Sequence, residues 1–317
     1  MSTSAAPTDA VTNSPVATIA NAQVRATIYL PDATAGFYRG TRFDWSGVVS
    51  SLTWNGHEYF GQWFASYDPT THDAITGPVE EFLTGDAALG YAEAAPGGTF
   101  VRIGVGVLRK PAEPAFQRFA TYAIVDPGAW TTRQGTDWIE FVHALDDGAG
   151  YAYTYTKTLR LIGASLVLEH ALTNRGRKPI ATRVYNHNFF TLDRRPTGPD
   201  VVVRFPFAPR AARPLQNLAE IHGRELIYRR ELQAGETVFT ELAGFGPAAA
   251  DYGFELEQRA TGAGVRVTGD RPLSSLIFWS ASRTVCPEPY IDASVEPGRT
   301  TSWRITYAFY EATPAVR

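Results

Sequence analysis

The feature that most constrains the fold is an alternation of apolar and polar residues with a period of two. In residues 151–161 (YAYTYTKTLRL) the tyrosines and leucines share one set of alternate positions, and the threonines and the arginine occupy the other set. Side chains of a β-strand point alternately to its two faces, so this pattern predicts a strand with one buried face. Residues 165–174 and 302–310 show the same pattern, and no segment has convincing helical periodicity.

Turn signals rich in glycine and proline separate many such segments. The other alternating segments lie near residues 20–30, 48–54, 100–108, 118–125, 138–145, 201–207, 253–258, 264–268 and 275–280. Residues 159–179 are predicted to form a hairpin that turns at Gly163, Ala164 and Ser165. Many short antiparallel strands indicate stacked sheets. We therefore predict an all-β protein, a large antiparallel β-sandwich with few or no helices.

The domain organisation follows from length and composition. A chain of 317 residues can form one large domain or two ordinary ones. No proline- or serine-rich linker interrupts the middle and no repeat is found, so residues 16–317 are predicted to form a single domain. Residues 1–15 are small and polar and are predicted to be a flexible leader. The loop-rich tracts 60–98 and 207–224 are candidate walls of a pocket.

Several classes of function are disfavoured. The net charge is −3 with no basic stripe, which argues against nucleic-acid binding, and no run of about 18 apolar residues could span a membrane. The only cysteine, Cys286, excludes an internal disulfide and leaves the compartment open, cytoplasmic or exported. The six histidines lack metal-ligand spacing, and no P-loop, dinucleotide-binding glycine motif or GxSxG elbow is present. We expect neither a metal nor an organic cofactor, and the sequence does not indicate an oligomeric state.

The segment YNHNFF, residues 185–190, is the first candidate for function. His187 lies between Asn186 and Asn188 and close to Tyr185 and two phenylalanines. Two amides, an imidazole and three rings would suit a sugar pocket, in which the amides could orient the imidazole or a sugar hydroxyl. By contrast, His143 and His170 alternate with apolar residues and are predicted to be hydrogen-bonded core histidines. Aromatic residues reach 13% of the chain, which suits carbohydrate recognition but is equally typical of large β-sheets.

Glu288 is the second candidate. It lies between Pro287 and Pro289, which restrict the backbone, and it follows an apolar strand that contains Trp279. A stiff carboxylate in this position could serve as a preorganised base. The alternative is a solvated glutamate in a proline-rich loop.

The third candidate group lies in the first third of the chain and includes Arg42, Asp44, His72, Glu80 and Glu81. The planar fork of Arg42 could bind sugar hydroxyls or a carboxylate, or the residue could form an ion pair at a strand edge with Asp44. Adjacent residues of a strand face opposite sides, so one of the two glutamates is predicted to face inward.

Taken in order, these segments resemble the galactose mutarotase-like (aldose 1-epimerase) superfamily. The Asn-His-x-(Phe/Tyr)-Phe motif that bears the family's catalytic histidine falls on Asn186, His187, Phe189 and Phe190. The late C-x-E-P segment falls on Cys286 to Pro289 and places Glu288 101 residues after His187, and the substrate-binding arginine falls on Arg42. The resemblance covers residues 155–310 well and residues 25–155 more loosely.

The resemblance implies a β-supersandwich that interconverts the α and β anomers of a sugar. Glu288 would act as base on the anomeric hydroxyl and His187 as acid on the ring oxygen, from opposite sides of the hemiacetal carbon. His72 only approximates the family's earlier histidine. The family's binding aspartate has no clear counterpart, with Asp251 and Glu241 as candidates. The predicted substrate-binding residues are Arg42, His72, Glu81, Tyr185, Asn186, Asn188 and Trp279.

Two other functions stay open at this stage. The chain could be a non-catalytic carbohydrate-binding module, or another sugar-active enzyme such as a lyase or a hydrolase accessory domain. Within the epimerase hypothesis, the partner is a small sugar or an oligosaccharide end. A sugar phosphate would require two or three converging basic residues, for which Arg42, Arg183 and Arg194 are candidates.

Overall fold

A computed structural model describes residues 13–312 of the chain. Most of the predicted leader, residues 1–12, lies outside the described residues, and the single-domain assignment stays a prediction. In the described part the strands form four sheets in which every pairing is antiparallel.

The largest sheet has ten strands. In spatial order they are β16 (Ala219–His222), β17 (Glu225–Tyr228), β14 (Val201–Arg204), β19 (Gly253–Gln258), β20 (Ala263–Gly269), β23 (Thr300–Glu311), β12 (Ser165–Asn174), β11 (Ala152–Ile162), β10 (Trp138–Asp146) and β9 (Ala129–Gln134).

A six-stranded sheet faces it. Its order is β15 (Arg210–Ala211), β18 (Thr237–Ala243), β21 (Ser275–Ala281), β22 (Thr284–Val295), β13 (Ile180–His187) and β5 (Val79–Leu83).

The remaining strands form two small sheets. One consists of β1 (Val16–Ala20), β2 (Val24–Tyr29), β3 (Val48–Trp54) and β4 (His57–Glu58), and the other of β6 (Thr99–Arg102), β7 (Gly106–Arg109) and β8 (Ile124–Asp126).

The two large sheets pack face to face as a sandwich. Phe82 of β5 contacts the rings of Tyr155 and Trp303, which belong to β11 and β23 of the opposite sheet. Leucine, isoleucine and valine side chains from the inward positions of both sheets complete one continuous core. The all-β, antiparallel sandwich predicted from the alternation is therefore confirmed.

The sequence placed one hairpin correctly and missed several strands, among them β5, β9, β18 and β22. Strands β11 and β12 pair with Ile162 opposite Ser165, so the turn consists of Gly163 and Ala164, and Gly163 has a positive φ of 55° that favours glycine. Strand β5, in contrast, lies inside the tract 60–98 that was expected to be loop. Its sequence VEEFL has two adjacent glutamates, which conceal the strand because glutamate is depleted in strands.

The outer face of the six-stranded sheet positions the candidate site. Residues 36–47, 59–78 and 84–122, the last of which include β6 and β7, cover part of this face and form a second aromatic-rich core with it. The only helices in residues 13–312 are 3₁₀ turns at Leu192–Arg194 and Ala249–Asp251, and neither has the length or apolarity to cross a membrane.

Candidate active site

His187 and Glu288 lie side by side on the outer face of the six-stranded sheet. Tyr185 pairs with Tyr290 across β13 and β22, and continuing this register by two residues brings His187 opposite Glu288. The His187 Nε2 and Glu288 Oε1 atoms are 3.1 Å apart. Both residues are only 4% exposed. Strand pairing therefore brings together two residues that are far apart in sequence.

This geometry differs from the expected placement of the pair on opposite sides of a hemiacetal carbon. A separation of 3.1 Å leaves no room for a sugar between the two side chains. The cause is the register, because cross-strand neighbours on one face of a sheet are held about 5 Å apart at their Cβ atoms. Any substrate must approach both groups from the same side.

Aromatic rings hold the imidazole in place. Phe189 stacks on His187 with ring centroids 3.8 Å apart, and Phe43 and Trp279 meet it edge-on at 5.6 and 5.4 Å. The backbone of Phe189 has a φ of +43°, which bulky residues rarely adopt. This turn folds Phe189 back over His187, and backbone strain of this kind is concentrated at functional sites.

The two asparagines beside His187 do not contact its ring, contrary to the expectation that they orient it or bind sugar there. Asn186 points to the opposite face of β13 and donates a 2.8 Å hydrogen bond to Glu80 Oε1. Asn188 is fully buried, where it donates to the Pro287 carbonyl at 2.6 Å and accepts from the Tyr307 hydroxyl at 2.8 Å. Alternation of side chains along the strand explains the first placement. Asn188 instead ties the end of β13 to the segment before Glu288.

Burial sets the ionisation of the pair. Burial raises the pKa of Glu288 to about 8, although Arg42 and Arg118 oppose the rise. Burial also lowers the pKa of His187 well below its usual value, and Arg42 adds to this. At neutral pH the closed pair therefore holds one exchangeable proton, whose preferred position is on the carboxyl group.

A cluster of three arginines surrounds Glu81 in the next row of the same sheet face; we call Arg42, Arg102, Arg118 and Glu81 the arginine cluster. Arg42 Nε donates to Glu81 Oε2 at 2.9 Å, and Arg102 Nη2 donates to Oε1 at 3.0 Å. Arg118 binds both carboxylate oxygens, with Nε 2.9 Å from Oε1 and Nη2 2.8 Å from Oε2. These contacts hold the pKa of the buried Glu81 well below its usual range, overcoming the effect of burial.

Two tyrosines connect the arginine cluster to the pair. Tyr185 lies between Glu81 and Tyr290 in one cross-strand row, and its hydroxyl accepts hydrogen bonds from Arg42 at 3.1 Å and Arg118 at 2.8 Å. Arg118 Nη2 is also 3.5 Å from the Tyr290 hydroxyl. The sequence predicted Arg42, Glu81 and Tyr185 but missed Arg118 and Tyr290. Arg118 lies in a loop where a strand was expected, and no local motif marks it.

His72 and Trp279 lie at two edges of the site. His72 is partly exposed and packs on Phe119 with ring centroids 4.9 Å apart, and the Arg42 guanidinium lies 4.8 Å from the centroid of the same phenylalanine. Trp279 is half-buried and pairs across the strands with Phe239, which is exposed.

The inner face of β5 carries a separate buried network. Glu80 contacts Lys157 Nζ, and the His170 Nε2 atom lies 2.8 Å from its Oε1. Lys157 also lies 3.9 Å from Asp44 Oδ2. His170 is thus a hydrogen-bonded core histidine, as predicted. As predicted, one of the two adjacent glutamates of β5 faces inward, and it is Glu80; Glu81 points to the opposite face and is buried there by the covering segments.

The remaining residues that the sequence suggested do not contact His187 or Glu288. Asp251 accepts a hydrogen bond from the Gly246 backbone N–H, and Arg194 pairs with Glu58. Glu241 is exposed on β18, two strands from Glu288 in the same row, and Arg183 lies 5.9 Å from the ring centroid of Tyr290. Among residues 13–312 no group of three or more histidine, cysteine, aspartate or glutamate side chains is arranged to hold a metal ion.

Comparison with solved structures shows the same architecture. The chain matches the Slr1438 protein of Synechocystis at 15% identity and a TM-score of 0.57, over 98% of this chain and 99% of that one. A galactose mutarotase related enzyme from Lactobacillus acidophilus matches at 14% identity and a TM-score of 0.58, over 96% and 100% of the two chains. A GalM/aldose epimerase homologue from C. elegans matches at 14% identity and a TM-score of 0.56, over 95% and 100%.

No family profile and no curated protein matches the sequence. The likeness is therefore one of three-dimensional structure, extending over nearly the whole chain at an identity too low to transfer an activity. The chain has the fold of the galactose mutarotase-like proteins.

Proposed function

We propose that the protein is an aldose 1-epimerase-like enzyme that interconverts the anomers of a sugar at His187 and Glu288. The observation that carries the proposal is the buried imidazole–carboxyl pair, 3.1 Å apart, on the loop-covered face of the sheet. Such a pair offers one proton donor and one proton acceptor side by side. Strongly shifted pKa values of this kind are typical of functional sites.

The chemistry of mutarotation fits adjacent groups. The anomeric hydroxyl and the ring oxygen are bonded to the same carbon, so a donor and an acceptor on one side can reach both. When Glu288 takes the hydroxyl proton and His187 gives a proton to the ring oxygen, the carbon–ring oxygen bond breaks and a carbonyl forms. Closure on either face reverses both transfers, so Glu288 then donates and His187 accepts.

Both protonation states of the pair therefore occur in each cycle. Opening begins from imidazolium and carboxylate, and closing begins from imidazole and carboxylic acid. Burial favours the second state in the closed pair. Substrate hydroxyls that donate to the carboxylate would favour the first. No metal or organic cofactor is required for these steps.

Substrate access requires the pair to become more exposed than it is in this conformation. The half-buried Trp279 and the exposed Phe119 border the site and are the side chains that we expect to shift. Their rings would then stack on a pyranose, as amphipathic aromatic side chains do at binding sites.

The test is the rate of exchange between α and β anomers, measured by NMR exchange spectroscopy on glucose, galactose, glucuronate and glucose 6-phosphate. We expect His187→Ala and Glu288→Gln each to slow the catalysed exchange by about 10²–10⁴-fold, the usual contribution of an acid–base group. Arg133→Gln is the control. Arg133 is 68% exposed and lies on β9, at the edge of the ten-stranded sheet, whereas His187 and Glu288 lie on the six-stranded sheet.

Equal exchange rates in all four proteins would refute the assignment. Sugar binding without any exchange, retained in a protein that lacks both side chains, would support the binding-module alternative. Release of an unsaturated, ultraviolet-absorbing product from a polysaccharide would support a lyase.

A further inference from the structure

The arginine cluster carries more positive than negative charge. Its three guanidinium groups face one carboxylate, so three positive charges against one negative charge leave a net charge of +2. Within the described residues no second carboxylate lies within ion-pair distance of Arg42 or Arg118. Buried charge that is not matched by a partner is costly, and an anionic ligand would reduce that cost.

The arginines of the cluster differ in their remaining hydrogen-bonding capacity. Arg102 has little capacity left, because four of its five N–H groups donate to Glu81 and to the Thr41, Arg42 and Phe82 carbonyls. Arg42 and Arg118 donate through Nε and Nη2, and across residues 13–312 neither Nη1 atom has a hydrogen-bond acceptor. The Arg118 side chain is 30% exposed, so a ligand can reach it.

The position of Arg118 relative to the pair suits a substituted hexose. Glu288 and Tyr290 are two residues apart on the same face of β22, a spacing of about 7 Å along a strand. Arg118 Nη2 lies 3.5 Å from the Tyr290 hydroxyl. A pyranose with its anomeric carbon at the pair could therefore direct the substituent on its far side toward Arg118.

Arg118 and Phe119 are adjacent in the loop that covers this part of the sheet. The Phe119 ring lies 4.8 Å from the Arg42 guanidinium and 5.8 Å from that of Arg118. The ring is 56% exposed, so it shields both guanidinium groups on one side and faces solvent on the other. An anion bound below it would be partly desolvated, which strengthens its interaction with the arginines.

On the basis of the proposed function, on which this inference depends, we propose that the substrate is a sugar bearing an anionic group, a carboxylate or a phosphate, which Arg118 and Arg42 bind. The planar guanidinium forks match the oxygen geometry of both anions. Arg118 is the specificity-determining residue, because its side chain is 30% exposed and that of Arg42 only 8%.

The experiment compares kcat/KM for glucose, glucuronate and glucose 6-phosphate, with the two anionic sugars separating a carboxylate from a phosphate. We expect the wild type to prefer at least one anionic sugar over glucose. In Arg118→Gln that preference should fall by about 10–100-fold, the size expected for hydrogen bonds to a charged group, and mainly through KM. Arg118→Lys keeps the charge but lacks the planar fork, so its preference for the anionic sugar should lie between those of the wild type and Arg118→Gln. Arg133→Gln should show the same preference as the wild type.

A measurement without any substitution keeps the test decisive if Arg118→Gln does not fold. Raising the ionic strength should increase KM for the preferred anionic sugar and leave KM for glucose unchanged, because salt screens charge attraction at a partly exposed site. Equal kcat/KM for neutral and anionic sugars in the wild type, at low and high salt, would overturn the inference.

Failure of the inference and failure of the proposed function give different results. Exchange that depends on His187 but shows no anionic preference would refute the anion site and leave the epimerase function standing. Binding of glucuronate or glucose 6-phosphate that depends on Arg118, measured calorimetrically in a protein that exchanges no sugar, would refute the epimerase function and leave the anion site standing.

Discussion

Glu80 and Glu81 are neighbours in β5, and both are fully buried, yet their surroundings differ. Glu80 points into the sandwich, where Lys157, His170 and Asn186 satisfy it. Glu81 points to the outer face, where three arginines surround it. Tyr185 and Tyr290 lie between these arginines and the His187–Glu288 pair. The inner network is fully buried and close to charge balance. The outer cluster has excess positive charge, and one of its arginines, Arg118, is partly exposed. This difference supports our proposal that the outer cluster binds an anionic ligand, whereas the inner network contributes to the stability of the fold.

The largest expected effect tests the inner network. Lys157→Met should lower the free energy of unfolding by about 3–5 kcal/mol, because it leaves Glu80 and Asp44 buried without their cation. Urea denaturation measures this. The matched control, Arg133→Gln, removes an exposed ion pair and should cost at most about 1 kcal/mol.

If Lys157→Met does not fold, the double substitution Lys157→Met with Glu80→Gln should recover folded protein, since the charge of Glu80, the nearer of the two carboxylates, is then removed with its partner. If Lys157→Met is as stable as the Arg133→Gln control, the inner network contributes no more to the free energy of unfolding than an exposed ion pair does, and the prediction is wrong.

The second prediction concerns stability in acid. Burial alone would raise the pKa of Glu80, but Lys157 and His170 lower it to about 2, below its ordinary value of 4.5. A carboxyl group with a depressed pKa stabilises the folded state above its unfolded pKa, so this contribution should be lost as the pH falls from about 4.5 to about 2. Melting temperature against pH should therefore change less steeply in Glu80→Gln than in the wild type within this window.

Asp44 titrates in the opposite sense at higher pH, because burial raises its pKa to about 7. Its protonation favours the folded state as the pH falls from about 7 toward 4. The control for the acid window is Glu140→Gln, which removes a carboxylate whose only ion-pair partner among residues 13–312 is the exposed Arg133. A slope in Glu80→Gln equal to that of the wild type would contradict the prediction.

The smallest expected effect tests the outer cluster through the pH dependence of exchange. The pair is active with one exchangeable proton, so the rate should fall as the pH rises through the Glu288 pKa of about 8. Arg118 lowers this pKa, and its replacement by glutamine should move the alkaline limb to higher pH. Rates measured across pH on wild type and Arg118→Gln check this, and an unmoved limb would show that Arg118 does not act on the pair electrostatically.

Local patterns in the sequence were sufficient for many of the strands and drew attention to the candidate pair. The alternation in residues 151–161 and 165–174 predicts the β11–β12 hairpin because each residue's burial depends mainly on which face of the strand it occupies. His187 and Glu288 were marked by unusual neighbours and by the family resemblance, and their roles stay a proposal. The sequence did not predict which neighbours of His187 share its face of the sheet. Asn186 is adjacent to His187 in sequence, but its side chain points to the other face.

Sequence alone therefore determined the all-β architecture, since period-two alternation and turn residues are properties of short segments. The tertiary structure decided which distant residues meet: that His187 lies beside Glu288 and not across a gap from it, and that Arg118 reaches Glu81 and Tyr185. The physical reason is that strand order, register and loop packing depend on contacts summed over the whole core. No short segment encodes them, so a loop arginine with no motif could become part of the site.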